Sequence, residues 1–116
     1  MQRGDLYWAE LRPRSGSKQR GRRPVIVISN DGFNDVPTWH SVIVVPVTTS
    51  SRQAGRGPTV VPISAPAAGL NPDSAAVCHQ ITTLDRAKLT ARIGSLSDSE
   101  LHAVERGVIA ACDLPL

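Results

Sequence analysis

The run Val25-Ile26-Val27-Ile28, placed directly after Pro24, narrows most what this chain can become. β-Branched side chains are stiff at χ1 and crowd a helix, yet pack well on a pleated surface. The run is too short for a helix and apolar on both alternating sets. It predicts a central strand buried on both faces, ended by Asn30-Asp31-Gly32. Such a strand needs partners. Leu6, Trp8 and Leu11 roughly alternate with Asp5, Tyr7 and Glu10, so residues 4–11 read as a half-exposed first strand. Ser41 to Thr48 is another strand, in which Pro46 lacks a ladder donor and predicts an edge position or a bulge. Thr59 to Ile63 reads as a short strand, residues 75–84 as a longer one, and Arg92-Ile93-Gly94 as the last. Residues 31–39 form a loop or single helical turn, and Asp85 to Leu89 another turn.

Ser97-Asp98-Ser99-Glu100 is a capping box, followed by Leu101, Val104, Val108 and Cys112 at helical spacing. One amphipathic helix is predicted over about 98–112. Gly107 inside it costs about 1 kcal/mol relative to alanine, which points to close packing that wants a small residue. No repeat or boundary divides the 116 residues, so 1–116 is read as one domain. The fold class is mainly β (α+β): a small, strongly twisted antiparallel barrel or sheet with a C-terminal helix on one side.

With 41% apolar residues the chain can build a core. Cys78 and Cys112 each lie in an apolar run and read as buried free thiols, and the lack of spaced ligands argues against zinc or any other metal. No apolar segment follows Met1, and no apolar stretch of about 18 residues occurs, so a cytoplasmic protein without membrane contact is expected. The net charge of +3 is modest but unevenly spread. Arg12, Arg14, Lys18, Arg20, Arg22 and Arg23 crowd a Gly- and Ser-rich window without acids, and Arg52 and Arg56 lie in a second acid-free stretch, Val36 to Pro72. This suits a polyanion such as nucleic acid, or else marks solvated loops.

Several segments, in order, resemble the MazF/PemK family of bacterial toxins. Arg3-Gly4-Asp5-Leu6-Tyr7-Trp8 resembles its opening strand. Ser15-Gly16-Ser17-Lys18-Gln19 and Gly21-Arg22-Arg23-Pro24-Val25-Ile26-Val27-Ile28-Ser29-Asn30 resemble its first loop and second strand. Val44-Val45-Pro46-Val47-Thr48-Thr49 is similar to its third strand, and Gln80-Ile81-Thr82-Thr83-Leu84-Asp85 with Arg92-Ile93-Gly94 to its ending. The resemblance implies an SH3-like barrel of the CcdB/MazF kind, a homodimer, and cofactor-free cleavage of single-stranded RNA at short sequences. It also implies a cognate antitoxin protein whose tail fills the RNA groove, with DNA met only indirectly through the antitoxin complex.

Metal-free RNA cleavage requires that the 2′-hydroxyl lose a proton, that charge on the phosphate be stabilised, and that the departing 5′-oxygen gain a proton. Arg23 stands at the family's arginine before Pro-Val, where a fork of donors can hold two phosphate oxygens; a structural arginine paired with a loop carboxylate is the alternative. Arg22, its neighbour, points to the other face and is the stand-in for it. Thr48 matches the family's catalytic threonine, though a threonine ending a strand is often only a β-former. Gln80 reads a base edge or phosphate, or makes a cross-strand hydrogen bond. His79 departs from the family, where some relatives carry an acid before the matching glutamine. It is a possible auxiliary proton carrier, or a strand histidine with one hydrogen bond. Ser17 stands where another branch has a histidine, and with Lys18 and Arg20 it belongs to the RNA-binding loop. Trp39 either stacks on an RNA base or closes one end of the barrel.

Two other functions share these features. One is a CcdB-like toxin that poisons DNA gyrase without cutting RNA, and the other is a non-catalytic nucleic-acid-binding module. The basic loop with Arg23 and Thr48 favours the ribonuclease. Val42 and Val44, near Pro46, are expected on an edge that a second subunit covers.

Overall fold

The computed structural model describes residues 1–11, 21–49, 57–64, 69–70 and 73–115. The β-branched run lies in β2 (Gly21–Val27) except for Ile28, which follows the strand, and the neighbours of β2 are β1 (Asp5–Leu11) and β3 (Ser41–Thr48). The hydrogen-bonded order adds β4 (Val60–Ile63), β5 (Ser74–Val77), β6 (Thr82–Asp85) and β7 (Leu89–Ser95) as β4-β5-β3-β2-β1-β7, with β6 also pairing β3. Every pairing is antiparallel. Among the described residues the path is not closed, but its end strands curl round one core. Ile63 of β4 and Ile93 of β7 both pack in the cluster built on Leu6, Ile26, Val45 and Val104. The fold is thus a mainly antiparallel, barrel-like sheet with a single-turn helix after β2, α1 (Asp31–Asn34), and a C-terminal helix, α2 (Asp98–Cys112).

Val25, Ile26 and Val27 are all 0% exposed, as a strand covered on both faces requires. Alternation divides them. Ile26 joins the helix-side core, while Val25 and Val27 join a second cluster with Ala9, Val42 and Val44 on the opposite face.

Pro46 lies on no edge. Strand β3 is central, and Val42 and Val44 are fully buried, so they do not form the uncovered edge expected for a second subunit. The proline is accommodated by its flank. β6 pairs with β3 as far as Val44, and β5 takes over from Val47. Pro46 sits in the gap between these partners, where an absent N–H removes no rung on that side. The gap has a cause in the partner. Val47 pairs with Ala76 and Val44 with Thr82, so the partner spends more residues than β3 across the same interval. The excess is the 3₁₀ turn Cys78–Gln80, which interrupts what the sequence suggests is one strand over 75–84.

Helix α2 starts as its capping box dictates. Ser97 Oγ accepts from Glu100 N–H at 3.2 Å, and Glu100 Oε1 accepts from Ser97 N–H at 3.1 Å. Gly107 is buried against the 3₁₀ turn, where a Cβ would come within 2.6 Å of Cys78 Sγ. That contact accounts for a glycine in mid-helix. Cys112, expected in the core, is exposed in the last turn, and only Cys78 is a buried thiol.

Candidate functional site

The proposed catalytic residues lie on two neighbouring strands, β2 and β3. The β2–β3 ladder pairs Val27 with Val44, Ile26 with Val45 and Val25 with Pro46. Arg23 on β2 and Thr48 on β3 each lie two residues beyond that last rung, at the same end of the sheet. Antiparallel partners project to the same face. Arg23 also stands opposite Ala9 of β1, and Ala9 belongs to the cluster of Val25 and Val27. Arg23 and Thr48 are each half-buried on rigid strands at the rim of that cluster. A planar fork of donors beside a hydroxyl donor is an arrangement that stabilises charge growing on phosphate oxygens.

Arg22 projects to the opposite face, as alternation demands, and its guanidinium lies over the Trp8 ring at 5.1 Å from the centroid. This cation–π contact was not visible in the sequence, because it joins different strands. At the same end of the sheet the chain leaves β1 at Leu11 and rejoins β2 at Gly21, which are paired. It also leaves β3 after Thr48. The basic window therefore starts and ends beside Arg23, whereas Ser17, Lys18 and Arg20 themselves lie outside the described residues.

His79 and Gln80 occupy the 3₁₀ turn after β5, both exposed, while Cys78 points inward and is fully buried. Thr48 pairs with Ala75. From Ala75 to His79 the chain advances roughly 10 Å, at about 3.3 Å per strand residue and about 2 Å per 3₁₀ residue. His79 thus follows the strand that pairs with Thr48, in the turn that succeeds it along the chain. Its Nδ1 lies 3.0 Å from Thr59 Oγ1, and Thr59 itself was missed by the sequence reading.

Trp39 is further away. It precedes β3, whose 8 residues separate it from Thr48 by roughly 23 Å at about 3.3 Å per step. Its ring is 46% exposed and stacks on Phe33, with centroids 4.9 Å apart and planes at 14°. Arg86 holds this segment in place: Nε donates to Trp39 O at 3.0 Å, and Nη2 to Phe33 O, Asn34 O and Val36 O at 3.3, 2.9 and 3.1 Å. Nothing near Arg86 in the sequence signals that role.

The resolved pKa shifts lie away from Arg23 and Thr48. Asp31 is held below its ordinary 3.8, first by the hydrogen bond from Asn34 and next by that from the Arg3 backbone. Burial pushes the Cys78 thiol up to about 11. Among the described residues no group of His, Cys, Asp and Glu is placed to hold a metal ion.

Residues 2–112 match the family model of the PemK-like, MazF-like toxin of type II toxin–antitoxin systems. The chain is 38% identical over 108 residues to the endoribonuclease EndoA of Bacillus subtilis, covering 93% of this chain and 90% of that protein. It is 36% identical over 112 residues to the endoribonuclease MazF6 of Mycobacterium tuberculosis, covering 97% and 96% respectively. Among solved structures, the Mycobacterium tuberculosis toxin MazF-mt6 superposes with a TM-score of 0.77 at 28% identity, over 97% of this chain and 99% of that one.

Proposed function

The chain belongs to the family of PemK-like, MazF-like toxins of type II toxin–antitoxin systems, and from that premise we propose how it works. It is an endoribonuclease that cuts single-stranded RNA at short sequences without a metal, and in doing so stops translation and growth. The observation that supports the mechanism is that Arg23 and Thr48 each lie two residues past the last β2–β3 rung, at the same end of the sheet. The guanidinium and the hydroxyl together bind the non-bridging oxygens of one phosphate. The 2′-hydroxyl gives its proton to solvent water as its oxygen attacks phosphorus. The bond to the 5′-oxygen breaks and that oxygen takes a proton from solvent. The charge that grows on the non-bridging oxygens meets these donors. The products are a 2′,3′-cyclic phosphate and a 5′-hydroxyl end.

Arg22, Gln80 and the basic window bearing Ser17, Lys18 and Arg20 bind the RNA on either side of that phosphate. The whole chain acts as one domain in the cytoplasm, as a homodimer, and a cognate antitoxin protein blocks the RNA site. Contact with DNA comes only through that antitoxin. The dimer rests on the family, since Val42 and Val44 are core residues and supply no uncovered edge.

The test is incubation of the purified protein with a mixed RNA pool in EDTA. Discrete fragments that accept a 5′-phosphate from polynucleotide kinase without prior dephosphorylation are the expected result. Intact RNA, together with inhibition of gyrase supercoiling, would replace this reading with that of a gyrase poison. RNA bound but uncut would leave only a binding module.

A further inference from the structure

The 3₁₀ turn Cys78–Gln80 is more firmly mounted than an exposed turn needs to be. Thr59 fastens it twice. Its carbonyl accepts the Cys78 N–H at 2.8 Å, and its hydroxyl lies 3.0 Å from His79 Nδ1. From behind, Cys78 is fully buried, with Sγ donating to Val104 O at 3.6 Å and backed by Gly107 of α2. The turn is thus clamped between the start of β4 and the helix, while His79 and Gln80, consecutive in the turn, are both exposed. The contact of Nδ1 with Thr59 restrains the ring and leaves Nε2 as the nitrogen that Thr59 does not engage.

An exposed, oriented imidazole next to a carboxamide serves recognition well. Single-stranded RNA is read through hydrogen bonds to splayed base edges, and such readers discriminate only when their geometry is fixed beforehand. The distance matters equally. The turn lies roughly 10 Å along the sheet from the residue that pairs with Thr48, at the rises of strand and 3₁₀ backbone. That backbone spacing sets the turn within reach of a nucleotide next to the phosphate held by Arg23 and Thr48.

We propose that His79 and Gln80 read one base flanking the cleaved phosphate, and that Thr59 is the positioning residue that sets the His79 ring for this task. The inference rests on the ribonuclease reading above. It gives His79 a role in specificity and leaves the chemistry to Arg23 and Thr48.

The experiment maps cleavage sites by sequencing the ends produced from a randomised RNA pool. It compares wild type with His79→Ala, Thr59→Val and Thr59→Ser, each checked for folding by thermal unfolding. His79→Ala and Thr59→Val should weaken base preference at the same single motif position by about tenfold, the scale of one lost base-edge contact. Preferences at other positions should persist. Thr59→Ser, which keeps the hydroxyl, should restore the wild-type profile. A uniform loss of rate with an unchanged profile in folded Thr59→Val protein, or His79→Ala retaining every preference, overturns this inference while leaving the ribonuclease intact. Absence of any cleavage by wild type overturns the ribonuclease reading, and this inference with it.

Discussion

Replacing Gly107 with alanine sets two effects of opposite sign against each other, and the structure decides between them. Helix propensity alone favours alanine by about 1 kcal/mol at an interior position. The added Cβ, however, would lie 2.6 Å from Cys78 Sγ, 3.0 Å from Val61 Cγ2 and 3.3 Å from Cys78 Cβ. Cys78 cannot swing aside cheaply, because its turn is fixed by Thr59 in front. Overpacking of this kind costs about 1–3 kcal/mol, and a contact this close belongs near the top of that range. The net expectation is a loss of about 1–2 kcal/mol. For 116 residues this is a fall in Tm of roughly 4–8 °C. Urea and thermal unfolding at fixed protein concentration measure it. A cycle with Cys78→Ala isolates the cause: without the sulfur, Gly107→Ala should become neutral or favourable, with a coupling of about 2 kcal/mol. A Gly107→Ala protein more stable than wild type, with no coupling to Cys78, would refute the reasoning.

Arg86→Ala should destabilise by about 2 kcal/mol, because four backbone carbonyls of residues 33–39 lose a charged donor. Arg86→Lys should recover little of it in urea titrations, since a point charge cannot replace the fork. Asp31 carries a carboxyl pKa lowered in the folded state, so its contribution is present above the ordinary 3.8 and lost as pH falls through the lower folded value. Acid titration below about pH 4 should therefore cost wild type more stability than Asp31→Asn, and equal slopes would count against the hydrogen bonds from Asn34 and Arg3. Cys78, raised from 9.0 to about 11, keeps about a hundredfold less thiolate than an ordinary cysteine at pH 8, and it is buried besides. A thiol reagent should label the exposed Cys112 first and Cys78 only on unfolding, which mass spectrometry of the labelled peptides would report.

Where local chemistry dictates structure, the sequence was readable. The run Val25 to Ile28 foretold a strand covered on both faces, the Ser97–Glu100 box foretold where α2 begins, and Gly107 foretold a close contact. What escaped depends on partners. Pro46 suggests an edge because proline lacks a donor, but whether a donor is needed depends on the strand alongside, and that strand is broken at Cys78–Gln80. No glycine or proline marks the break, so residues 75–84 read as continuous. Cys112 continues the helical spacing of Val104 and Val108, yet the helix outruns the core beneath it. The site divides in the same way. Arg23 and Thr48 were found through family motifs, whereas their place at one end of two paired strands follows from register. The supports that Arg86 gives Trp39 and Thr59 gives His79 are long-range facts that no spacing encodes.

The central claim is that Arg23, at the same end of the sheet as Thr48, stabilises the transition state of RNA cleavage. Single-turnover cleavage of one RNA substrate in EDTA, with Arg23→Ala compared against wild type at matched thermal stability, tests it most directly. The expected result is a rate lower by about 10²-fold or more, the scale of losing one transition-state donor, with the folded state retained. A folded Arg23→Ala protein that cuts at close to the wild-type rate would contradict the account.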